Sequence, residues 1–434
     1  MRNLYTTLLF VIIGFSSQAQ DLLSLEDAVK IALENNYDIK IAENNSKIDA
    51  TNNNLANAGM LPSLNANFTN NNSQLDTKQT QGDGTVRELD NAKNMNLTYG
   101  IGLDWTIFDG LSMFARKEQL NVLEQQGKAE LQTAILTRIS DVYTTYFDLV
   151  QQQQVLASID TAIVISNQRL TTAQNRFSIG KASKLEVLNA QVDLNSDLSL
   201  QLRQIELIKI SKIRLNELLV RDIQTDFKVA NEVTFEQNLD FNELKATAEK
   251  QNPQLQAQIL SKKVADLNLK QVKGNRYPTV RITSGYNFTR SEASLGFITQ
   301  SSGQGFVYGV TATVPIFNGF LQNRNEKVAK YQVENAGFLL EQQKLSLTSQ
   351  LSSLFASYQT NLELVKVEEK NLEIAKQNLD ITLAKFKIGT ITTIEFRTAQ
   401  QNFVEASVRY SNAQYVTKLS EINLKELAGT LKLN

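Results

Sequence analysis

Cysteine and histidine are both absent from the 434 residues, and their absence removes several chemistries together. There is no disulfide framework, no thiol or imidazole nucleophile or general base, and no His- or Cys-liganded zinc or haem. Charge of one sign is not in excess: 44 Lys and Arg stand against 45 Asp and Glu, a formal net charge of −1. Bulk nucleic-acid binding needs a basic face to neutralise phosphates, so nucleic acid is not an expected partner. Proline and glycine are scarce, at 4 and 19 residues. The length would accommodate two to four ordinary domains, but so little punctuation points to long uninterrupted elements. Apolar runs that could span a membrane as a helix are lacking as well. The run from Leu8 to Phe15 falls well short of the ~20 residues a spanning helix needs.

That run follows Arg2 and precedes Ser17-Gln18-Ala19, with small residues at −3 and −1 of a cut. Residues 1–19 therefore read as a secretory signal peptide cleaved after Ala19. No Cys follows the cut, which excludes a lipoprotein anchor. The mature chain is expected either to be soluble outside the cytoplasm or to enter a membrane as β-strands.

The sequence is written twice. Asn36, Pro62 and Ser63 align with Asn252, Pro278 and Thr279 at an offset of 216 residues. From Tyr99-Gly100 onward the offset is 209, and it needs no gap. Ile107-Phe108-Asp109-Gly110 falls on Ile316-Phe317-Asn318-Gly319, Phe177-Ser178-Ile179-Gly180 on Phe386-Lys387-Ile388-Gly389, and Leu215-Asn216-Glu217-Leu218 on Leu424-Lys425-Glu426-Leu427. The expected organisation is a signal peptide (1–19), a first repeat (20–220) with a β-hairpin over 64–108, a connector (221–240), and a second repeat (241–434) with a β-hairpin over 280–317.

Each repeat reads as a helix, a strand pair and two long helices. The first helix is expected to open at Ser24 with Asp27 completing a capping box. Its counterpart begins near Phe241 and starts a new segment at Pro253. From Ser112 to Phe177 there is no Pro and the only internal Gly is Gly127. Those roughly 66 residues could form a helix about 100 Å long at ~1.5 Å per residue. Apolar residues at Ile135, Ile139, Val142, Tyr146, Leu149, Leu156, Ile163, Leu170 and Phe177 have coiled-coil spacing, and the second copy repeats it from Leu351 to Phe386. Gln153, Asp160, Asn167 and Gln174 interrupt the seam, which argues against a wholly dry core.

Between the helices the period drops to two. Val280, Ile282, Tyr286 and Phe288 alternate with Arg281, Thr283, Asn287 and Thr289. Phe306, Tyr308, Val310, Ala312 and Val314 alternate with Gly309, Thr311 and Thr313. Copy one matches with Leu64, Ala66 and Phe68, then Tyr99, Ile101, Leu103, Trp105 and Ile107. These are half-buried strands. The polar stretches 70–96 and 291–304 are expected to be exposed loops. Two readings fit: amphipathic hairpins on a soluble core, or a transmembrane β-barrel with its apolar face toward lipid. Four strands cannot close a barrel, so the second reading requires several copies of the chain. Trp105, Tyr99, Tyr286 and Tyr308 would then form an interfacial belt, or be buried aromatics in the soluble alternative.

The duplicated order, the Leu61-Pro62-Ser63 and Tyr277-Pro278-Thr279 corners, the Ile107-Phe108-Asp109-Gly110 and Pro315-Ile316-Phe317-Asn318-Gly319 corners, and the two hairpin ends together resemble the TolC-like outer membrane efflux proteins over essentially the whole mature chain. The resemblance implies a mainly α fold with a transmembrane β-barrel: a coiled-coil α-helical barrel plus four β-strands per protomer, giving twelve strands in a homotrimer. Pro62 and Pro278 are read as ending a helix and holding the preceding residue extended. Gly110 and Gly319 are read as sharp strand-to-helix turns, with Pro315 at the second corner.

By the same resemblance, the tips marked by Phe177 and Gly180, and by Phe386 and Gly389, would meet a periplasmic adaptor. Locally each Gly is a left-handed helix cap. Glu395 falls where the family often carries an acidic ring that narrows the pore, and such a ring would favour cations. Glu186 falls where tip contacts hold a closed state. Either glutamate also reads as an ordinary residue early in a helix, favoured by the dipole. Three residues beyond Glu395 stands Thr398, so a second acidic ring is not expected.

The function so implied is an exit duct in the bacterial outer membrane, with its helical tunnel in the periplasm. It would take solutes from an inner-membrane transporter through the adaptor, as part of a tripartite efflux or type I secretion system. No cofactor, no metal site and no catalysis are expected, since no paired-acid cleft stands out. The alternative is a pore-free secreted or periplasmic coiled-coil scaffold.

Overall fold

The structure, a computed structural model, describes residues 22–296 and 298–431. The signal peptide expected over residues 1–19 lies outside the described residues. In chain order the elements are β1 (Leu22–Leu23), α1 (Leu25–Asn35), α2 (Tyr37–Asn52), β2 (Ser63–Thr80), β3 (Val86–Asp109), α3 (Ser112–Ser178), α4 (Lys184–Leu218), β4 (Lys228–Val229), α5 (Phe241–Gln251), α6 (Pro253–Gly274), β5 (Thr279–Ala293), β6 (Gln300–Thr313), α7 (Leu321–Ile388) and α8 (Thr393–Ala428). The long helices α3 and α7 run unbroken for 67 and 68 residues. Gly127 does not interrupt α3, and a side chain there would run into the Asp49 carboxylate of α2.

Several boundaries differ from the sequence expectation. The first half opens with two helices, broken at Asn36, just as the second half breaks at Asn252 before the new segment expected at Pro253. The Asn36 amide donates to the Leu218 carbonyl at 3.0 Å, and the Asn252 amide donates to the Leu427 carbonyl at 2.9 Å. Each asparagine thus satisfies a carbonyl at the end of a long helix that the helix itself leaves without a partner. The Ser24 hydroxyl accepts from the Asp27 amide at 3.0 Å but donates to the Asp27 carboxylate at 2.6 Å. The reciprocal capping box expected there is therefore not formed. Pro62 does not end a helix directly, because α2 stops at Asn52 in a run of asparagines. There Asn54 accepts from the Asn57 amide at 2.8 Å, a local bond that competes with continued helix.

The chain divides into two compact units. One takes residues up to Lys40, Ala134–Asn252 and the segment from Leu347 onward. The other takes Ile41–Thr133 and Pro253–Ser346. The first has a core of Ala28, Val29, Val142, Leu149, Val150, Leu215, Leu219 and Phe227. There β1 and β4 pair in parallel, and the Tyr146 hydroxyl donates to the Leu23 carbonyl at 3.1 Å while accepting from the Ala230 amide at 3.2 Å.

The connector after β4 is held by charge. Glu421, almost fully buried, accepts from Lys418 at 3.0 Å and from Lys425 at 2.8 Å, and Lys425 also reaches Glu236 at 2.7 Å. Lys418 donates to the Thr234 carbonyl at 2.9 Å, and the Tyr358 hydroxyl donates to the Glu236 carbonyl at 2.5 Å. Burial disfavours the Lys425 ammonium, but its bonds to Glu236 and Glu421 outweigh that and hold its pKa above the ordinary lysine value. Burial, together with the nearby Glu421 and Glu236 charges, pushes the Tyr358 phenol up.

In the other unit the strands form one antiparallel sheet in the order β2-β3-β5-β6. Stretches 70–96 and 291–304, expected as loops, are mostly strand. Between β2 and β3 only residues 81–85 turn, while β5 ends at Ala293 and β6 begins at Gln300. Asn, Gln and Thr continue the ladder there because each row is fixed by backbone bonds, whatever the side chain. At Asp76 the register slips, and Asn91, at φ 56°, donates its amide to the Asp76 carboxylate at 2.7 Å. In the second hairpin β6 stops at Thr313, short of the expected 317.

Row by row, Phe68, Tyr99 and Phe288 stand on one face, with Ile101, Tyr286 and Phe306, and with Trp105, Ile282 and Val310. Tyr99 stacks on Phe288 with centroids 4.9 Å apart, and Tyr286 meets Phe306 edge-on at 4.9 Å. The Trp105 indole donates to the Met60 carbonyl at 2.9 Å. The other face carries Asn67, Gly100, Asn287 and Gly305 in one row, and Asn65, Gly102, Gly285 and Val307 in the next. On that face Arg281 pairs with Asp104 at 3.6 Å.

Pro62 and Pro278 directly precede β2 and β5, and Pro315 lies just after β6. At the strand-to-helix corners two successive residues are left-handed: Gly110 and Leu111 at φ 69° and 67°, Gly319 and Phe320 at 64° and 63°. A Cβ on Gly110 would come within 2.1 Å of the Gly274 carbonyl oxygen, so that site excludes any side chain.

Two outcomes follow from these contacts. Gly110→Ala adds a left-handed alanine, costing about 1–3 kcal/mol, and displaces the Gly274 backbone; thermal unfolding is expected to show a lowered Tm and reduced folded yield. Glu421→Gln removes the buried negative charge that Lys418 and Lys425 share, a loss of about 3 kcal/mol, and hydrogen exchange is expected to accelerate over residues 230–236.

Candidate functional site at the hairpin ends

The ends of the two long helical hairpins both lie in the first unit, and their sequence similarity makes their differences informative. At the α3 end, Gly180 is left-handed at φ 76°, its amide donates to Phe177 O at 3.0 Å, and the Lys181 amide donates to Arg176 O at 2.7 Å. At the α7 end, Gly389 at φ 81° repeats the pattern, with bonds to Phe386 O at 3.0 Å and from Thr390 to Lys385 O at 3.1 Å. Both are αL helix terminations that satisfy carbonyls the helix leaves open.

The phenylalanines then part company. Phe177 is exposed, with Lys184 Nζ 5.5 Å from its ring centroid. Phe386 is buried and stacks on Phe396 at 5.0 Å in a cluster with Leu379 and Phe403. The glutamates part as well. Glu186 is half-buried and lies 3.5 Å from Arg176 Nη1, an ion pair between the two helices of its own hairpin. Glu395 is exposed and completes a capping box, accepting from the Thr392 amide at 3.0 Å while Thr392 Oγ1 accepts from the Glu395 amide at 3.2 Å. Arg176 also lies beside Gly389, with Nη2 3.6 Å from where a Cβ would stand.

Above the tips is a buried polar cluster that the sequence reading did not identify. Arg397 of α8 grips Asp197 of α4 with two bonds of 3.0 and 2.9 Å, and its Nε faces Asp193 at 3.6 Å. Arg169 of α3 donates to Asp193 at 2.5 Å. Asp197 also accepts from Ser166 at 2.5 Å, and the fully buried Gln400 amide donates to Ser166 at 2.7 Å and to the Ala162 carbonyl at 2.8 Å. The paired Arg–carboxylate geometry is the strong form of a charge-assisted bond. A signal for it did exist: Asp193 and Asp197 are four apart, and Arg397 and Gln400 are three apart, so each pair shares a helix face.

Among the described residues no group of His, Cys, Asp and Glu could hold a metal ion, and no helix is long and apolar enough to cross a membrane. The geometry is that of two long hairpins joined side by side and ending in turns.

Known proteins share this arrangement. The chain is 23% identical to the outer membrane protein TolC of Escherichia coli over 311 residues, which cover 69% of this chain and 63% of that protein. It is 19% identical to the outer membrane efflux protein BepC of Brucella suis over 339 residues, covering 77% of this chain and 72% of that one. Among solved structures, the Campylobacter jejuni CmeC outer membrane channel superposes with a TM-score of 0.79 at 17% identity, over 94% of this chain and 85% of CmeC. VceC of Vibrio cholerae gives 0.75 at 15% identity, over 93% and 96%. At such identities the superpositions speak for the fold. The sequence itself matches the family described as outer membrane efflux protein over residues 28–219 and 244–430. The chain therefore belongs to the outer membrane efflux protein family.

Proposed function

We propose that this protein is the exit duct of a tripartite efflux or type I secretion system. Three copies form a twelve-stranded barrel in the outer membrane above a helical tunnel in the periplasm. The observation that carries this reading is the sheet, with one continuous apolar face and with β2 and β6 as open edges. Phe306 and Tyr308 are 77% and 84% exposed in the single chain, and water does not reward that. The strands of 14 to 24 residues exceed the ~9–11 needed to cross a bilayer. In lipid the apolar face meets hydrocarbon, each β6 pairs with the next copy's β2, and the Asn- and Gly-rich face lines the lumen.

The helices support the same closure. Tyr331, Phe338 and Leu345, and again Val367, Ile374, Ile381 and Ile388, are exposed on α7 at intervals of seven. Val122 and Leu136, which stand 209 residues before Tyr331 and Leu345, are buried within the chain. The first and second repeats (20–220 and 241–434, joined by 221–240) are therefore read as equivalent units. What covers copy one inside the protomer covers copy two in the next protomer, a head-to-tail contact that closes as a ring.

At the periplasmic end, the turns at Gly180 and Gly389 are read as the adaptor-contact surface. The exposed Phe177 stands on it, and Phe386 braces the second tip from within. The adaptor links the duct to an inner-membrane transporter, which supplies the energy. Glu395 is read as the gate residue that lines the narrowest ring, and Glu186 as the residue that stiffens the first hairpin through Arg176. As a passive duct, the protein needs no cofactor and performs no catalysis.

Light scattering of detergent-extracted protein is expected to give three chains of 48.6 kDa or slightly less per particle; a monomer or dimer that is soluble without detergent would rule out the barrel. Glu395→Gln is expected to shift the reversal potential in planar bilayers toward lower cation selectivity. An unchanged potential would remove Glu395 from the gate.

A further inference from the structure

The face of the sheet that is read as lining the lumen is almost without charge. From the row of Thr106 and Arg281 to the row of Asn71 and Asn96, every side chain on that face is neutral except Asp104 and Arg281. Those two stand side by side: Arg281 Nε lies 3.6 Å from the Asp104 carboxylate, and both side chains are about half exposed. The register of β3 slips between Thr106 and Phe108, and Thr106 is the residue opposite Arg281, so the pair sits beside a bulge of the kind that re-aims side chains. Neither charge has a counterpart in the other repeat, where Thr313 and Asn65 hold the equivalent positions. The next acid toward the helices, Asp109, accepts from the Met113 amide at 2.9 Å, against the N-terminus of α3, whose dipole offsets a carboxylate charge. Beside Asp104 the wall is hollow. Gly102 and Gly285 carry no side chains, and a recess of about 280 Å³ opens there, walled by Asn65, Asn67, Asp104, Thr283 and Asn287. A lone carboxylate in such a wall, repeated in each protomer around the lumen, would draw cations in and repel anions.

We propose that Arg281 cancels the charge of Asp104, and that the barrel lumen therefore passes anionic and cationic solutes alike. This rests on the exit-duct reading above. An exposed ion pair adds little stability, so what it changes is the field in the lumen. Each chain brings one acid and one base to the ring, which carries no net charge. Two opposite charges so close together act on a distant solute as a dipole, whose potential falls off faster with distance than that of a single charge. Arg281 is thus a specificity-determining residue of the duct: it keeps the barrel indifferent to the sign of the solute, and any sorting by charge is left to the helical end.

Because the chain has no cysteine, Thr283→Cys places a single thiol on the lumen face, opposite Asp104. In protein reconstituted into lipid vesicles, its rates of reaction with a cationic and an anionic methanethiosulfonate of similar size are compared, relative to the same ratio for a free thiol in solution. Both reagents attack the same thiolate, so the ratio reports the local potential and not the ionisation of the thiol. With Asp104 and Arg281 intact, the cation-to-anion ratio is expected within about twofold of the free thiol at about 0.1 M salt, where the Debye length is ~10 Å. Arg281→Gln is expected to raise the ratio about fivefold or more, and Asp104→Asn to lower it by a similar factor. The two substitutions together are expected to restore the native ratio, and Arg281→Lys, which keeps the charge, to leave it unchanged. An unmoved ratio in either neutralising variant, or a double variant that does not return to the native value, overturns the proposal. A thiol that reacts with neither reagent in vesicles yet reacts after unfolding in denaturant, or a particle that is not trimeric by mass in detergent, instead overturns the exit-duct reading on which the proposal stands.

Discussion

Unpaired backbone along the open edges of β2 and β6 is the constraint from which the rest of the architecture follows. An N–H or C=O without a partner costs little in water, but several kcal/mol in hydrocarbon. A four-stranded sheet with one apolar face can therefore enter lipid only as part of a closed ring. The long helices continue from its corners, where Gly110 and Gly319 turn the chain from strand to helix through left-handed backbone that few residues adopt. In the proposed trimer, closure of the sheet would also set how many long hairpins stand side by side.

A duplicated chain faces a further problem, because equivalent places in its two halves meet different neighbours. Side chains have diverged at just those places. Asn36 and Asn252 keep the same job in both halves, each holding a carbonyl at the end of a long helix. Arg397 and Asp197 have no charged counterparts 209 residues away. The asparagines that serve local geometry are repeated, and the Arg397–Asp197 pair, which joins distant helices, is not.

Much of the fold was legible in the sequence. The unbroken span after Ser112, the new segment at Pro253 and the period-two strands all came from local chemistry. The misreadings share a cause. The asparagine- and threonine-rich ends of the first hairpin looked like loop, yet ladder bonds to a neighbouring strand carry them as far as Thr80 and Val86. Asp27 looked like a capping-box partner, but its carboxylate bonds the Ser24 hydroxyl. Glu395 met the capping-box requirement instead. At the candidate site, the glycine turns were legible and the Arg397 cluster was not, because its members are scattered over more than two hundred residues.

By itself the sequence determined the periodicities, the two copies and the punctuation, because helix, strand and turn preferences act over a few neighbouring residues. Only the tertiary structure decided which of two equivalent residues is buried. Phe177 is exposed and Phe386 is stacked on Phe396; Glu186 pairs with Arg176 and Glu395 caps its own helix. Such differences depend on what a distant part of the chain brings alongside, and that distance is invisible to any local pattern.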